Sequence, residues 1–329
     1  MRILPFRRYH RRHLFVLAGI IYFLFVGSVN VVADTSKRGK NIVELFKGLS
    51  KSTDWQLVKE VKLDFRTYHP QGMVKVGPYF YISAVEIKER TVKYKDLGIL
   101  FEPGQPDRTE GKGVGHLFKV DGKGNLVDSV TLGDIARAIY HPGGIDFDGK
   151  WLWVSVAQYR PHSLSIVYRV SIEDLSVEKV FEFEDHIGGV VYNREDNTLH
   201  GVSWGSRTFY NWDLKGNLMS RAQNGSHYVD YQDCQYVKDS RMLCGGVNIY
   251  SYPDPKVGKF ALGGIALIDL DTSVAKHQIP LMLHPGKPKP MPRIVMTGNP
   301  IFAEVKGDQL NFYFMPEDDN STIYIYRPQ

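Results

Sequence analysis

The feature that most constrains this chain is a short motif that recurs along it. Tyr68-His69-Pro70-Gln71-Gly72 returns as Tyr140-His141-Pro142-Gly143-Gly144 and, more weakly, as Asp185-His186-Ile187-Gly188-Gly189. Val229-Asp230-Tyr231-Gln232-Asp233 and Gly298-Asn299-Pro300-Ile301-Phe302 hold the same place in two further units. A chain that repeats one supersecondary unit must stack the copies to bury their apolar faces, so the repeat decides the architecture before any single element does.

The same run of short apolar or alternating segments, broken by Gly, Asp, Asn and Lys, follows every copy, and this pattern predicts strands. First strands are expected at residues 73–76, 145–147, 190–192, 234–237 and 303–305. Second strands are expected at 79–84, 151–157, 199–204, 242–247 and 310–314, and third strands at 115–120, 165–170, 208–212, 264–268 and 322–326. Fourth strands at 126–132, 177–183, 218–222 and 274–281 complete four units, and none follows the fifth before residue 329. One spare strand, 55–65, has no local partner. Placing it at the outside of the last unit closes the ring and removes both open sheet edges. The expected fold is therefore all-β: a five-bladed β-propeller over residues 55–329, its last blade closed by an N-terminal strand, with six blades as the alternative. An aromatic content of 12% suits such a chain.

The first 33 residues read as a targeting segment. Arg2, Arg7, Arg8, Arg11 and Arg12 precede an apolar run over 14–26, and Val31 and Ala33 offer small residues for cleavage before Asp34. The alternative is a retained signal anchor, because residues 14–33 are long enough to cross a bilayer. Residues 34–54 read as a linker. Both readings export the folded part, to a secreted or extracellular location or to a single-pass anchored, lumenal or extracellular one. Asn224-Gly225-Ser226 and Asn320-Ser321-Thr322 are glycosylation sequons. Cys234 and Cys244, the only two cysteines, fall opposite each other across a hairpin turning near Asp239. A disulfide is one reading and two buried thiols the other. The net charge of +5 comes partly from the leading arginines, which leaves a nearly neutral domain and excludes a nucleic-acid partner. A monomer is expected, with membrane contact only if the N-terminal segment is retained.

In a propeller the residue that leads each first strand looks into the mouth of the central channel. Here those residues are His69, His141, His186, Asp230 and Asn299, none of them apolar. Catalytic roles are expected for His69, His141, His186 and Asp230. The three histidines also have the donor type for one divalent metal ion (Zn, Mn or Ca), with no other cofactor expected; without metal, a neutral imidazole serves as a general base. On the same face, Asn299, Gln158, Arg160, Arg207 and Glu86 are expected to bind substrate, with Tyr159, His162, Trp204 and Tyr210 nearby. Three insertions, 87–114, 248–262 and 284–297, crowd that mouth, the last containing the stiff stretch Lys287-Pro288-Lys289-Pro290. The plain alternative is a wet, polar channel in which the His-Pro pairs shape the crossings between blades.

Two stretches also resemble a known family. His69-Pro70-Gln71-Gly72 before two strands is similar to the opening blade of plant-type glutaminyl cyclotransferases, and Gly143-Gly144 followed by Trp151-Leu152-Trp153-Val154 is similar to their later blades. The resemblance implies a secreted five-bladed propeller, although the acidic residue expected on the second strand of the opening blade is matched only by Glu86, late in the run. More broadly the chain resembles an uncharacterised family of secreted propellers. The expected function is a secreted enzyme, a hydrolase, lyase or cyclotransferase, acting on a small polar saccharide or peptide derivative by hydrolysis, elimination or cyclisation, with or without assistance from a metal. The alternative is a non-catalytic propeller that binds a glycan or a protein.

Overall fold

The chain divides into two units, residues 1–33 and 34–329. The computed structural model describes residues 42–254, 258–286 and 294–329, all in the second unit. The targeting segment and the Lys287 to Pro290 stretch lie outside the described residues.

The described residues are all-β with a propeller-like arrangement. After β1 (Trp55–Lys62) come β2 (His69–Val76), β3 (Tyr79–Glu89), β4 (Lys112–Asp121) and β5 (Leu126–Leu132), which form one antiparallel set. The next set is β6 (Ile139–Phe147), β7 (Trp151–Gln158), β8 (Ser165–Ser171) and β9 (Val177–Phe183). β10 (Ile187–Asn193), β11 (Thr198–Ser203), β12 (Thr208–Trp212) and β13 (Leu218–Gln223) follow, then β14 (Asp230–Tyr236), β15 (Arg241–Ser251), β16 (Lys259–Asp269) and β17 (Val274–Leu281). β18 (Ile301–Lys306), β19 (Gln309–Phe314) and β20 (Thr322–Pro328) take β1 as their fourth strand, Trp55 opposite Pro328 and Lys62 opposite Thr322. The spare N-terminal strand thus pairs where the repeat required it. Residues 42–47, within the segment read as a linker, are helical and bury Ile42, Val43 and Phe46 against a core shared by β15 to β19.

Burial explains the strand sequences. β7, almost wholly apolar, is covered on both faces, whereas β13 at an outer edge is mostly exposed. The first strands lie against one another in the order β2, β6, β10, β14, β18 and back to β2. β6 and β10 come close enough for Gly144 and Gly189 to form a parallel bridge, which merges their sets into one eight-stranded sheet. Asp233 of β14 fastens this centre: its carboxylate accepts the backbone N–H of Met73 at 2.9 Å and of Ile145 at 3.2 Å. Burial pushes the Asp233 carboxyl well above the usual range, against the N–H groups that favour its charged form. Each of β2, β6, β10 and β14 carries a register shift just past its leading residue, and such bulges bend a strand and re-aim its side chains.

Cys234 and Cys244 sit opposite each other on β14 and β15 and form a disulfide, both buried in the core. The two sequons differ sharply. Asn224 is 3% exposed, donates from Nδ2 to the Ser206 carbonyl at 2.8 Å and accepts from the Ser226 N–H at 2.9 Å. Asn320 is exposed in the turn before β20. We predict that passage through a secretory pathway leaves a glycan on Asn320 and none on Asn224, read by mass spectrometry of the two peptides. An occupied Asn224 would contradict the buried amide.

Candidate functional site

The bulges turn the leading histidines of three neighbouring sets toward one cavity of about 220 Å3. Its wall includes His69, His141, His186, Tyr159, Trp204 and Asp230. The His141 and His186 rings are 5.6 Å apart between centroids, His141 stacks on Tyr159 at 4.1 Å, and His186 meets Trp204 edge-on at 4.7 Å. A second cavity, of about 300 Å3, is lined by His69, Tyr159, Ile87, Arg90, Thr91 and Asp318. The two therefore meet at His69 and Tyr159.

Each outer histidine is held from behind. Nδ1 of His186 lies 2.8 Å from the Gln158 carbonyl, which can only accept, so Nδ1 carries the hydrogen and Nε2 keeps its lone pair. Burial lowers this imidazole to about 4, outweighing the carbonyl bond that favours its protonated form. Nδ1 of His69 lies 2.8 Å from Asp318 Oδ1, which Asn299 Nδ2 also approaches at 3.2 Å. Burial alone would raise the Asp318 carboxyl, but the bond from His69 prevails and holds it below the usual range. Asp318 is thus a carboxylate that accepts from His69. Between them His141 is buried, its Nδ1 without a partner among the described residues. Burial first, then the neighbouring His186 and His69, keep His141 well below the ordinary histidine value. At neutral pH His141 and His186 are uncharged.

Asp230 reaches the cavity wall but is bound by Arg207 Nη2, and Arg207 also donates to His227 Nδ1. Burial raises the Asp230 carboxyl, opposed by the guanidinium. The residues expected to bind substrate stand behind the wall. Asn299 orders Asp318, and Gln158 supplies the carbonyl for His186. Arg160 is tied to Glu110 and Gln158, while Glu86 sits between Lys88 and His116. Among the described residues of the insertions, only Ile87, Arg90 and Thr91 line these two cavities; 248–262 continues the β15–β16 ladder, from Asn248 opposite Leu262 to Ser251 opposite Lys259. Among the described residues no three His, Cys, Asp or Glu side chains are grouped to hold a metal ion, so the divalent ion expected at His69, His141 and His186 has no assembled ligand set to argue from.

Asp318, Arg90 and Ser203 were not singled out from sequence. Ser203 belongs to Gly201-Val202-Ser203-Trp204-Gly205, which has the letters of a nucleophile elbow, and it lines the smaller cavity. Its geometry is ordinary: φ is −75°, and its Oγ accepts the Thr208 N–H at 2.9 Å with no bond to a histidine.

A search of curated proteins found no match. Solved structures with a similar chain path include a hypothetical protein from Leishmania major, with 12% identity, a TM-score of 0.47 and coverage of 87% of this chain and 92% of that one. MPT-4, a mannose phosphorylase from Leishmania mexicana, has 11% identity and a TM-score of 0.45 over 87% of this chain and 91% of its own. CoXyl43, a GH43 β-xylosidase/α-arabinofuranosidase from a compost microbial metagenome, has 7% identity and a TM-score of 0.45 over 84% and 94%. These are distant likenesses in chain path, and a shared chain path does not carry an activity with it. The findings lend no support to the resemblance to glutaminyl cyclotransferases. Residues 28–328 match the sequence family described as "Family of unknown function (DUF6454)", and the chain belongs to that family.

Proposed function

We propose that this protein is an exported five-bladed propeller enzyme whose axial imidazoles perform acid–base chemistry on a small polar substrate. The observation that carries the reading is the pair of Nδ1 bonds, His186 to the Gln158 carbonyl and His69 to Asp318, behind one shared cavity. The five four-stranded sets and the closed circuit of first strands support the blade count. The disulfide favours an oxidising compartment, in keeping with export.

His186 is neutral, with a lone pair at Nε2, and is suited to take a proton from a hydroxyl, an amide or water. His69 is suited to the opposite step. Its Nδ1 is oriented by the Asp318 carboxylate, which leaves the other ring nitrogen to deliver a proton to a leaving group. Buried His141 separates the two and stacks on Tyr159, which fixes the floor between them. This division of labour fits hydrolysis, elimination or cyclisation of a saccharide or peptide derivative, and no step is routed through a metal. The alternative, a non-catalytic glycan- or protein-binding propeller, places the binding surface on the outer loops and leaves the imidazoles idle.

The test is turnover of chromogenic glycosides, aryl esters and aminoacyl amides by the purified protein. At least one class is expected to react, and His69→Asn, which keeps a donor to Asp318, is expected to slow it by about 10²–10⁴ with an unchanged circular dichroism spectrum. No turnover of any class, or equal rates for the two proteins, would leave the binding module as the better account.

A further inference from the structure

The smaller cavity asks for hydrogen donors. His141 and His186, kept neutral by burial, present ring nitrogens to it, and Tyr159 and Trp204 offer aromatic surface beside them. The larger cavity differs in charge. Arg90 stands on its wall beside Thr91 and has no ion pair among the described residues. The other arginines around the mouth are each matched by an acid. Arg108 grips Asp107 through two bonds and lies over Trp204 at 4.8 Å; Arg160 pairs with Glu110, and Arg207 with Asp230. Asp318, the acid on the same wall, is already engaged by His69 and Asn299. The charges of Arg90 and Arg108 both bear on the Tyr159 hydroxyl, at the junction of the cavities.

We infer that the two cavities together take one small hydroxylated carboxylic acid, its carboxylate held by Arg90 and Thr91 and its hydroxyls by the axial imidazoles. This rests on the reading of those imidazoles as substrate-facing. A guanidinium matches a carboxylate with two parallel bonds, whereas a neutral imidazole nitrogen matches a hydroxyl. The reactive end would then lie between His69 and His186, and the charged end would set the molecule's direction. Cavities of about 220 Å3 and 300 Å3 suit a monomeric sugar acid better than an extended polymer.

D-Glucuronate and D-glucose, alike except for the acid, are the probes, with binding to the full chain followed by the ring signals of its ¹⁵N-labelled histidines. Glucuronate is expected to shift axial histidine signals and to bind about tenfold more tightly than glucose or better, the usual worth of a hydrogen-bonded charge. Arg90→Gln is expected to remove that advantage and leave glucose unaffected. Equal affinity for the two sugars, or an advantage that survives Arg90→Gln, overturns the inference while the axial site stands. If neither sugar moves a histidine signal the inference falls too, and the turnover screen decides on the site separately.

Discussion

Gly143→Ala is expected to leave little or no soluble folded protein. A β-carbon at Gly143 would lie 2.3 Å from the Gly188 carbonyl oxygen, 2.4 Å from its carbon and 3.0 Å from the Gly189 nitrogen. These are backbone atoms of the neighbouring first strand, so no rotamer change makes room. The alternative is to part β6 from β10 at the point where Gly144 and Gly189 bridge. Parting them pulls on the Ser83 Oγ bond to the Gly143 carbonyl, 2.7 Å long, and on the bond from Ile145 to Asp233. Ordinary overpacking costs about 1–3 kcal/mol; here several central bonds go with it, against a total stability of roughly 5–15 kcal/mol. Gly225→Ala is the control, because a β-carbon there meets nothing within 4 Å, and its effect is expected within about 0.5 kcal/mol. Soluble yield and thermal midpoint measure both. A soluble Gly143→Ala protein melting within a few degrees of the parent would mean that the first strands do not pack this closely.

Much of this framework was legible because turn chemistry and strand pattern agree. Residues 126–132, 177–183 and 274–281 were read as outer strands and form β5, β9 and β17. Asp148 illustrates the cause: its Oδ1 accepts the N–H groups of Lys150 and Trp151 at 2.7 Å each, which closes the β6–β7 turn between the two apolar runs. The meeting of His69, His141 and His186 followed from equivalent positions in the repeat. The hairpin at 248–262 was less visible. In sequence it reads as an insertion at the mouth, yet Tyr250 stacks on Phe260 at 5.2 Å across a continued ladder, and that aromatic pair is the available signal.

Asp318 illustrates what sequence pattern does not carry. Glu317, Asp318 and Asp319 are three acids in a row in the turn before β20. Glu317 accepts the Tyr324 hydroxyl, Asp319 pairs with Arg66, and only Asp318 reaches His69, which is 249 positions away in sequence. The assignment depends on turn geometry and on ring closure, neither of which appears in residue order. The arginines misled for a related reason: a cation near the mouth suggests a ligand until its own carboxylate is seen beside it. Arg160 and Arg207 have such partners, and among the described residues Arg90 does not.

His186→Asn is expected to lower kcat/KM by about 10²–10⁴ on whichever substrate class reacts. The asparagine Nδ2 can take the place of the ring Nδ1 and keep the bond to the Gln158 carbonyl, while nothing replaces Nε2, so the base is removed with limited disturbance of the buried shell. The pH profile distinguishes this from a structural loss. A solvated imidazole titrates near 6.5, but burial holds His186 at about 4, and protonation begins to remove the base only as pH falls toward that value. The parent protein is therefore expected to keep most of its kcat/KM at pH 5 and to lose half near pH 4. The residual activity of His186→Asn should lack that acid limb. A parent limb near 6.5 would mean that the working base is wet, and this buried ring would then be structural. Retention of the limb by His186→Asn would move the proton transfer to another residue.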